Sequence, residues 1–151
     1  MIQKQIGNWL IEFDREATEN AYANITHGIT CDCQLCQNYD KACSAFPAAV
    51  RNFSDELGVD ISKPAELMDF TFENNIANMG GWYHIVGNYL DGDEPIAPKQ
   101  SHRKTTEMFT AADGFQIGFT NMVALVEEGF PRPVIQMEIN FSVPWVLDET
   151  V

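Results

Sequence analysis

The chain has 151 residues, of which 45% are apolar and 21% are charged, a globular composition that excludes disordered and fibrous classes. Its 22 acidic residues outnumber its 9 basic residues, so the formal net charge is −13. A surface of this sign repels phosphate groups, which argues against binding to nucleic acid or anionic membranes and favours either a basic protein partner or simple solubility.

The first quarter of the chain predicts strands. Residues 6–14 are rich in aromatic and aliphatic side chains and predict a first strand. Residues 15–20 are polar and predict a turn. Residues 21–30 predict a second strand, which Gly28 interrupts.

A helix is predicted from Cys33 onward. Cys36, Tyr39, Cys43 and Phe46 recur at intervals of three and four residues, which places them on one helix face. The preceding Asp32 is a suitable N-cap, because its carboxylate can accept a hydrogen bond from the first turn.

A second helix follows directly. Pro47 is placed at its start, where a missing N–H costs nothing. Val50, Phe53 and Leu57 form its apolar stripe, and Gly58 is suited to end it. Two short helices in tandem are therefore expected.

The remainder predicts strands joined by loops. Residues 65–68 predict one helical turn and residues 69–73 an extended segment. Residues 79–90 carry apolar side chains on both faces, as a central strand does. Residues 91–102 are polar and contain proline, and they predict the main surface loop.

The last third contains the clearest strand signals. Asp113-Gly114, in the connection between residues 104–110 and 115–120, is a hairpin signal. Residues 135–142 alternate apolar and polar side chains, as a half-buried strand does. The elements together predict one α+β domain over residues 1–151. Its mostly antiparallel sheet has about five to seven strands, with a pair of short helices inserted near residues 33–58.

The start of the chain bears on the chemistry of its cysteines. Residues 1–14 lack the basic start and apolar run of a signal peptide, and no apolar run approaches the roughly 20 residues of a membrane helix. We therefore expect a cytoplasmic protein whose thiols stay reduced. The oligomeric state is left open.

The four cysteines lie within residues 31–43, and a zinc site is one prediction for them. Cys33 and Cys36 have the spacing at which two sulfurs converge on one ion, and Cys31 and His27 can complete a tetrahedral set. Cys43 is a poorer ligand. It lies about 10 Å from Cys36 along the helix, whereas each sulfur ligand of a zinc ion lies ~2.3 Å from it.

Two further roles for the cysteines stay open. Cys36 and Cys43 can be small apolar side chains on the buried face of the first helix, where free cysteine is common. Cys33 and Cys36 can also form a redox pair in a thiol redox protein or sensor. That alternative lacks the βαβ pattern that precedes such pairs in thioredoxin-like proteins.

No catalytic constellation is present in the sequence. His84 shares a strand face with Trp82 and Val86, as a hydrogen-bonded core histidine does. We therefore expect a non-enzymatic domain that binds a protein or a ligand. An antitoxin-like or immunity-like binder with a basic partner is one form, and a small-molecule pocket beside Trp82 and His84 is another.

The chain resembles a family of small bacterial proteins, mostly from low-GC Gram-positive organisms, over about residues 9–149. The resemblance rests on short motifs: Cys33-Gln34-Leu35-Cys36-Gln37-Asn38-Tyr39, Phe46-Pro47, Leu57-Gly58-Val59-Asp60, Lys63-Pro64-Ala65-Glu66, Gly80-Gly81-Trp82-Tyr83-His84 and Pro144-Trp145-Val146-Leu147. It implies a small domain without an established activity. It also gives Cys33 and Cys36 more weight than Cys31 and Cys43, because only the first two belong to a shared motif.

Overall fold

The computed structural model describes residues 1–25, 33–92 and 108–147. Within them, seven strands form one sheet in which every pairing is antiparallel, so the predicted α+β class is confirmed. The strands are β1 Ile2–Ile6, β2 Trp9–Phe13, β3 Glu66–Glu73, β4 Ile76–Asp91, β5 Phe109–Ala112, β6 Phe115–Thr120 and β7 Val134–Pro144. The helices are α1 Arg15–Ala23, α2 Gln34–Ala42 and α3 Ala48–Leu57, and a short 3-10 helix spans Cys43–Ala45.

The sixteen-residue strand β4 is central to the sheet. The strand order is β1-β2-β4-β7-β6-β5, and β3 also pairs with β4. The edge of β4 opposite β7 therefore receives two strands one behind the other. Residues 76–82 pair with β3, and residues 87–91 pair with β2. The predicted central strand over residues 79–90 is confirmed.

The helices α2 and α3 cover one face of the sheet, which we call the inner face. The rings of Tyr39 and Phe46 pack against those of Phe115 and Phe141, at centroid distances of 5.0 Å for Phe46–Phe115 and 5.3 Å for Tyr39–Phe141. Edge-on and tilted contacts of this kind add to the stability that apolar burial provides. The core therefore lies between the inner face and the predicted helix pair.

The first helix differs from its prediction at both ends: α2 ends at Ala42, so that Cys43 lies in the 3-10 helix and Phe46 follows it. Cys33 is the N-cap of α2, whereas Asp32, the predicted cap, lies outside the described residues. Pro47 is the N-cap of α3, and Gly58 ends that helix at φ +81°. An alanine Cβ at Gly58 would lie 2.4 Å from the carbonyl oxygen of Arg15, so only glycine fits there.

Helix α1 replaces the predicted turn over residues 15–20 and, as far as Ala23, the predicted strand over residues 21–30, of which residues 26–30 lie outside the described residues. The Asp14 side chain accepts a hydrogen bond of 2.9 Å from the Ala17 N–H and so caps the helix. Thr18, Ala21 and Tyr22 are buried at helical spacing. The prediction failed because the polar residues of an amphipathic helix were taken for a turn.

The remaining strand predictions have different outcomes. A strand before the predicted first one, β1, forms a hairpin with β2. Residues 66–68 belong to β3 rather than to a helical turn. The Asp113-Gly114 hairpin is confirmed, whereas most of the predicted loop over 91–102 lies outside the described residues.

Among the described helices, none combines the length and apolarity needed to cross a membrane.

Candidate functional site

The structure describes two of the four predicted zinc ligands. Cys33 is exposed at the start of α2, and Cys36 is the third residue of that helix and buried. Cys31 and His27 lie outside the described residues. Within the described ranges, no three His, Cys, Asp or Glu side chains are grouped so that they could hold a metal ion.

Cys36 and Cys43 lie on the buried face of the helical segment, together with Tyr39 and Phe46. This position agrees with the expectation that both thiols pack as small apolar groups. The Cys43 thiol donates a hydrogen bond of 3.4 Å to the Asp40 carbonyl oxygen. Burial raises the pKa of Cys43 to about 11, so this thiol stays protonated at neutral pH.

His84 is a buried histidine with hydrogen-bonding partners. Its Nε2 lies 3.3 Å from Oε1 of Gln136, which also accepts a hydrogen bond of 2.9 Å from the Ala124 N–H. The ring of Phe130 covers the imidazole edge-on at 6.0 Å. Burial lowers the pKa of His84, so the neutral form is favoured. This is the environment expected for a core histidine.

The cavity beside His84 is small. It measures about 60 Å³ and is lined in part by Tyr22, Lys63 and Phe130. Ligand pockets measure roughly 300–1,000 Å³, so this cavity is too small for a metabolite. The indole N–H of Trp82 is already used, because it donates a hydrogen bond of 3.0 Å to the Ala124 carbonyl oxygen. The expected small-molecule pocket beside these two residues therefore gains no support.

Side chains of α1 fill the gap between β2 and β3 along the edge of β4. The Tyr22 hydroxyl donates to the His84 carbonyl oxygen at 2.8 Å and accepts from the His84 N–H at 3.0 Å. The Thr18 hydroxyl accepts a hydrogen bond of 3.0 Å from the Val86 N–H. Two side chains thus replace the strand that would otherwise pair with this stretch.

Strand β3 differs from the rest of the sheet in its exposure. Met68, Phe70 and Phe72 are 40%, 54% and 40% exposed, respectively, and Ile76 of β4 is 44% exposed. The Phe72 ring also contacts the Trp145 ring edge-on, at a centroid distance of 5.3 Å. In the described part of the chain, no strand pairs with the other edge of β3. The strand therefore presents both apolar side chains and an open backbone edge to its surroundings.

The charged side chains of β3 are all acidic. Glu66, Asp69 and Glu73 lie on the strand, and its eight residues include no lysine or arginine. The partner stretch of β4, residues 76–82, is uncharged. This open apolar edge, β3 with its three carboxylates, is the site that the geometry marks out.

Sequence reasoning missed this site although a signal was present. Met68, Phe70 and Phe72 alternate with Asp69, Thr71 and Glu73, a pattern typical of a half-buried strand. Asn74 and Asn75, both at positive φ, then form a hairpin turn, and asparagine tolerates that conformation well. The pattern does not say whether these apolar side chains are covered within the chain or left open for a partner.

The chain matches no family model, and neither curated proteins nor solved structures include a significant match to it.

Proposed function

We propose that the protein is a non-enzymatic binding domain that receives an extended, basic segment of a partner protein as an added strand along β3. The observation that carries the proposal is the open edge of β3, with Met68, Phe70 and Phe72 exposed beside it. Strand addition obtains affinity from main-chain hydrogen bonds and specificity from alternate side chains. It needs no catalytic residue.

An uncovered apolar edge strand is unusual without a partner, because it also invites unwanted pairing. Strand β3 carries two features that oppose such pairing. The register shifts between Asp69 and Thr71, so Phe70 is the extra residue of a β-bulge. The carboxylates of Glu66, Asp69 and Glu73 form the second feature. Together they restrict the edge to selected partners.

The carboxylates define the partner's chemistry. Two copies of β3 paired edge to edge would bring Glu66, Asp69 and Glu73 of one copy near those of the other, and like charges on paired strands are destabilising. A segment that alternates lysine or arginine with apolar residues would instead pair each charge with its opposite. The net charge of −13 would also speed its approach. A cytoplasmic partner fits the location expected from the sequence.

Two synthetic peptides test this proposal, one alternating lysine with valine and one alternating glutamate with valine. We expect the lysine peptide to bind and to shift the amide NMR signals of residues 66–73, and the glutamate peptide to leave them unchanged. The double variant Asp69→Lys, Glu73→Lys should reverse that preference. A control with the same charge change on exposed helical positions, Glu19→Lys with Asp40→Lys, should keep it.

Two results would contradict the proposal. If both double variants weaken lysine-peptide binding equally, the attraction comes from net charge and β3 is not the site. If sedimentation shows a dimer whose β3 amides are protected from exchange without peptide, the edge is occupied by a second copy of the chain.

Thiol or zinc chemistry at Cys33 and Cys36 is a second candidate, with Cys31 and His27 as further zinc ligands. It is favoured by the exposed position of Cys33 at the N-cap of α2, since a helix N-terminus stabilises a thiolate. The same location suits either a metal ligand or a nucleophile. The two forms of this candidate differ in metal content.

Zinc content and thiol reactivity separate these forms. Zinc near one equivalent, in protein prepared without chelator or a nickel affinity tag, should disappear in the double variant Cys33→Ser, Cys36→Ser. Rapid labelling of Cys33 in metal-free protein at pH 7 would instead indicate redox chemistry. Cys43 is the internal control, because its pKa of about 11 keeps it slow to react below pH 9. Metal-free protein whose Cys33 reacts no faster than a model thiol would exclude both forms.

A further inference from the structure

The sheet face opposite α2 and α3, the outer face, contains a groove of about 260 Å³ beside β3. Its lining comes from four strands and the tip of the β5–β6 hairpin. The lining residues are Phe70, Asn78, Met79, Gly114, Gln116, Asn140, Phe141 and Ser142. None of them is charged, although the chain as a whole has 22 acidic and 9 basic residues.

Gly80 lies next to this groove, which we call the amide groove. Gly80 pairs in register with Asn140, and Asn140 pairs with Gln116 on the next strand. A Cβ on Gly80 would lie 2.7 Å from the tip of the Phe70 ring and 3.1 Å from Oδ1 of Asn140. The tip of the Phe70 ring therefore occupies the space that a side chain at Gly80 would fill, next to the Asn140 amide.

A chain of hydrogen bonds holds one wall of the amide groove in place. The Ser142 hydroxyl donates to Oδ1 of Asn78 at 2.6 Å, and Nδ2 of Asn78 donates to the Thr71 hydroxyl at 2.8 Å. The Ser142 N–H also donates to the Gly114 carbonyl oxygen at 3.2 Å, which ties the hairpin tip to β7. These contacts join three strands and the hairpin, so the wall is organised before any ligand arrives.

The opposite wall keeps hydrogen-bonding capacity for a ligand. Gln116 and Asn140 are exposed neighbours on adjacent strands. The Gln116 amide makes no side-chain hydrogen bond within the described residues, and the Asn140 Nδ2 group contacts only a weak acceptor, Sδ of Met108, at 3.3 Å. Each amide offers both a donor and an acceptor at the groove.

We infer that the amide groove binds a neutral polyhydroxylated ligand, namely a sugar or short oligosaccharide. Amide side chains can donate to and accept from a hydroxyl group, which a lining of carboxylates or ammonium groups cannot do. The exposed ring of Phe70 supplies an apolar surface for the C–H face of a sugar ring. An anionic ligand is disfavoured by the chain's charge, and a cation finds no carboxylate in the lining. This site is separate from strand addition, although it shares Phe70 with β3.

A panel of uncharged trisaccharides, built from glucose, galactose, mannose or N-acetylglucosamine, tests the inference by NMR titration. We expect at least one to shift the signals of Gly80, Gln116 and Asn140. Asn140→Ala and Gln116→Ala should each raise its dissociation constant about three- to tenfold, since each removes hydrogen bonds to the ligand. Gln3→Ala, an exposed amide on β1, should leave the constant unchanged.

Gly80→Ala gives a second test that does not depend on deleting a polar group. The new methyl group would meet the tip of the Phe70 ring, which is the end of a side chain, and displace that ring from its position beside the groove. Sugar binding should weaken while the thermal unfolding midpoint changes little. The inference is overturned if no panel member shifts these signals, or if Asn140→Ala and Gln3→Ala affect binding equally. Asp69→Lys with Glu73→Lys should not affect sugar binding, which separates this result from the strand-addition proposal.

Discussion

Strands β2 and β3 pair with the same edge of β4, one behind the other, yet their surroundings are opposite. Trp9, Ile11 and Phe13 of β2 are fully buried, and β1 pairs with its second edge. The last six residues of β3 are exposed, and no described strand pairs with its second edge. Strand β1 thus pairs with the second edge of β2, as a partner segment would pair with the second edge of β3.

The stretch of β4 between these two strands shows how the protein closes an edge that no strand covers. Tyr22 and Thr18 satisfy the backbone groups of His84 and Val86 there, where unpaired groups would be buried. The edge of β3 receives no such closure within the described residues. Exposure at β3 is therefore a local property of that strand and not of the whole edge.

The largest expected effect comes from adding a methyl group to glycines of β4. At Gly87 a Cβ would lie 2.2 Å from the Glu12 carbonyl oxygen of β2, a strand held on both sides, so Gly87→Ala should destabilise by about 2–3 kcal/mol. At Gly81 the Cβ would lie 2.5 Å from the Glu66 carbonyl oxygen, but β3 can shift outward, so we expect about 1–2 kcal/mol.

Gly80→Ala completes the series, since its Cβ would meet only side-chain atoms, at the tip of the Phe70 ring and at Oδ1 of Asn140. Its cost should stay below about 1 kcal/mol. Urea unfolding of the three variants measures the order. Equal losses at Gly87 and Gly81 would show that β2 and β3 are held equally firmly, which contradicts the comparison.

Removing the Tyr22 hydroxyl should have the next largest effect. Tyr22→Phe keeps the ring but leaves the buried N–H and carbonyl of His84 without their partner, at a cost of about 1–3 kcal/mol. Thr71→Val on exposed β3 removes a hydroxyl that accepts from Asn78, and solvent can replace it, so the loss should be under about 0.5 kcal/mol. Hydrogen exchange at His84 should accelerate only in Tyr22→Phe.

The stability of the β4 stretch between β2 and β3 should also depend on pH, through His84. Burial lowers the pKa of His84 below its ordinary 6.5, so its contribution to stability is complete above that pH and is lost as the pH falls toward the folded-state pKa. Burial raises the pKa of nearby Glu138 above 4.5, and that contribution is present at low pH and lost as the pH rises through the folded-state pKa. Lys63 and Glu127 line the adjoining cavity.

The two titrations can be separated by substitution. The free energy of unfolding should fall between pH 6.5 and pH 5, and His84→Gln should flatten that fall. Glu138→Gln should steepen it, because it removes the opposing contribution. A wild-type slope that persists in His84→Gln would assign the acid response to another group.

The smallest expected effect on stability comes from the exposed apolar residues of β3. Met68→Thr removes a side chain that is 40% exposed, so the free energy of unfolding should change by less than about 0.5 kcal/mol. Binding of the lysine peptide should nevertheless weaken. A large loss of stability would mean that Met68 belongs to the core.

Local patterns predicted several elements correctly. The helix pair followed from the spacing of Cys36, Tyr39 and Phe46 and from Pro47 and Gly58, because caps and helical periodicity depend on residues a few positions apart. Strands β4 and β7 followed from runs and alternation of apolar residues. Helix α1 was missed because Thr18 and Tyr22 are buried through polar contacts with β4, and no local pattern indicates a partner 62 or more residues away.

By itself, the sequence determined which segments are helices or strands where apolar residues recur with a period of two or 3.6 residues, as in α2, α3 and β7, and it determined the acidic charge. Only the tertiary structure decided which apolar faces are covered. The alternating patterns of β3 and β7 look alike in sequence, yet β7 lies in the middle of the sheet and β3 lies at an open edge. Burial depends on neighbours that the chain brings together from distant positions, and for that reason the candidate site became visible only in the folded protein.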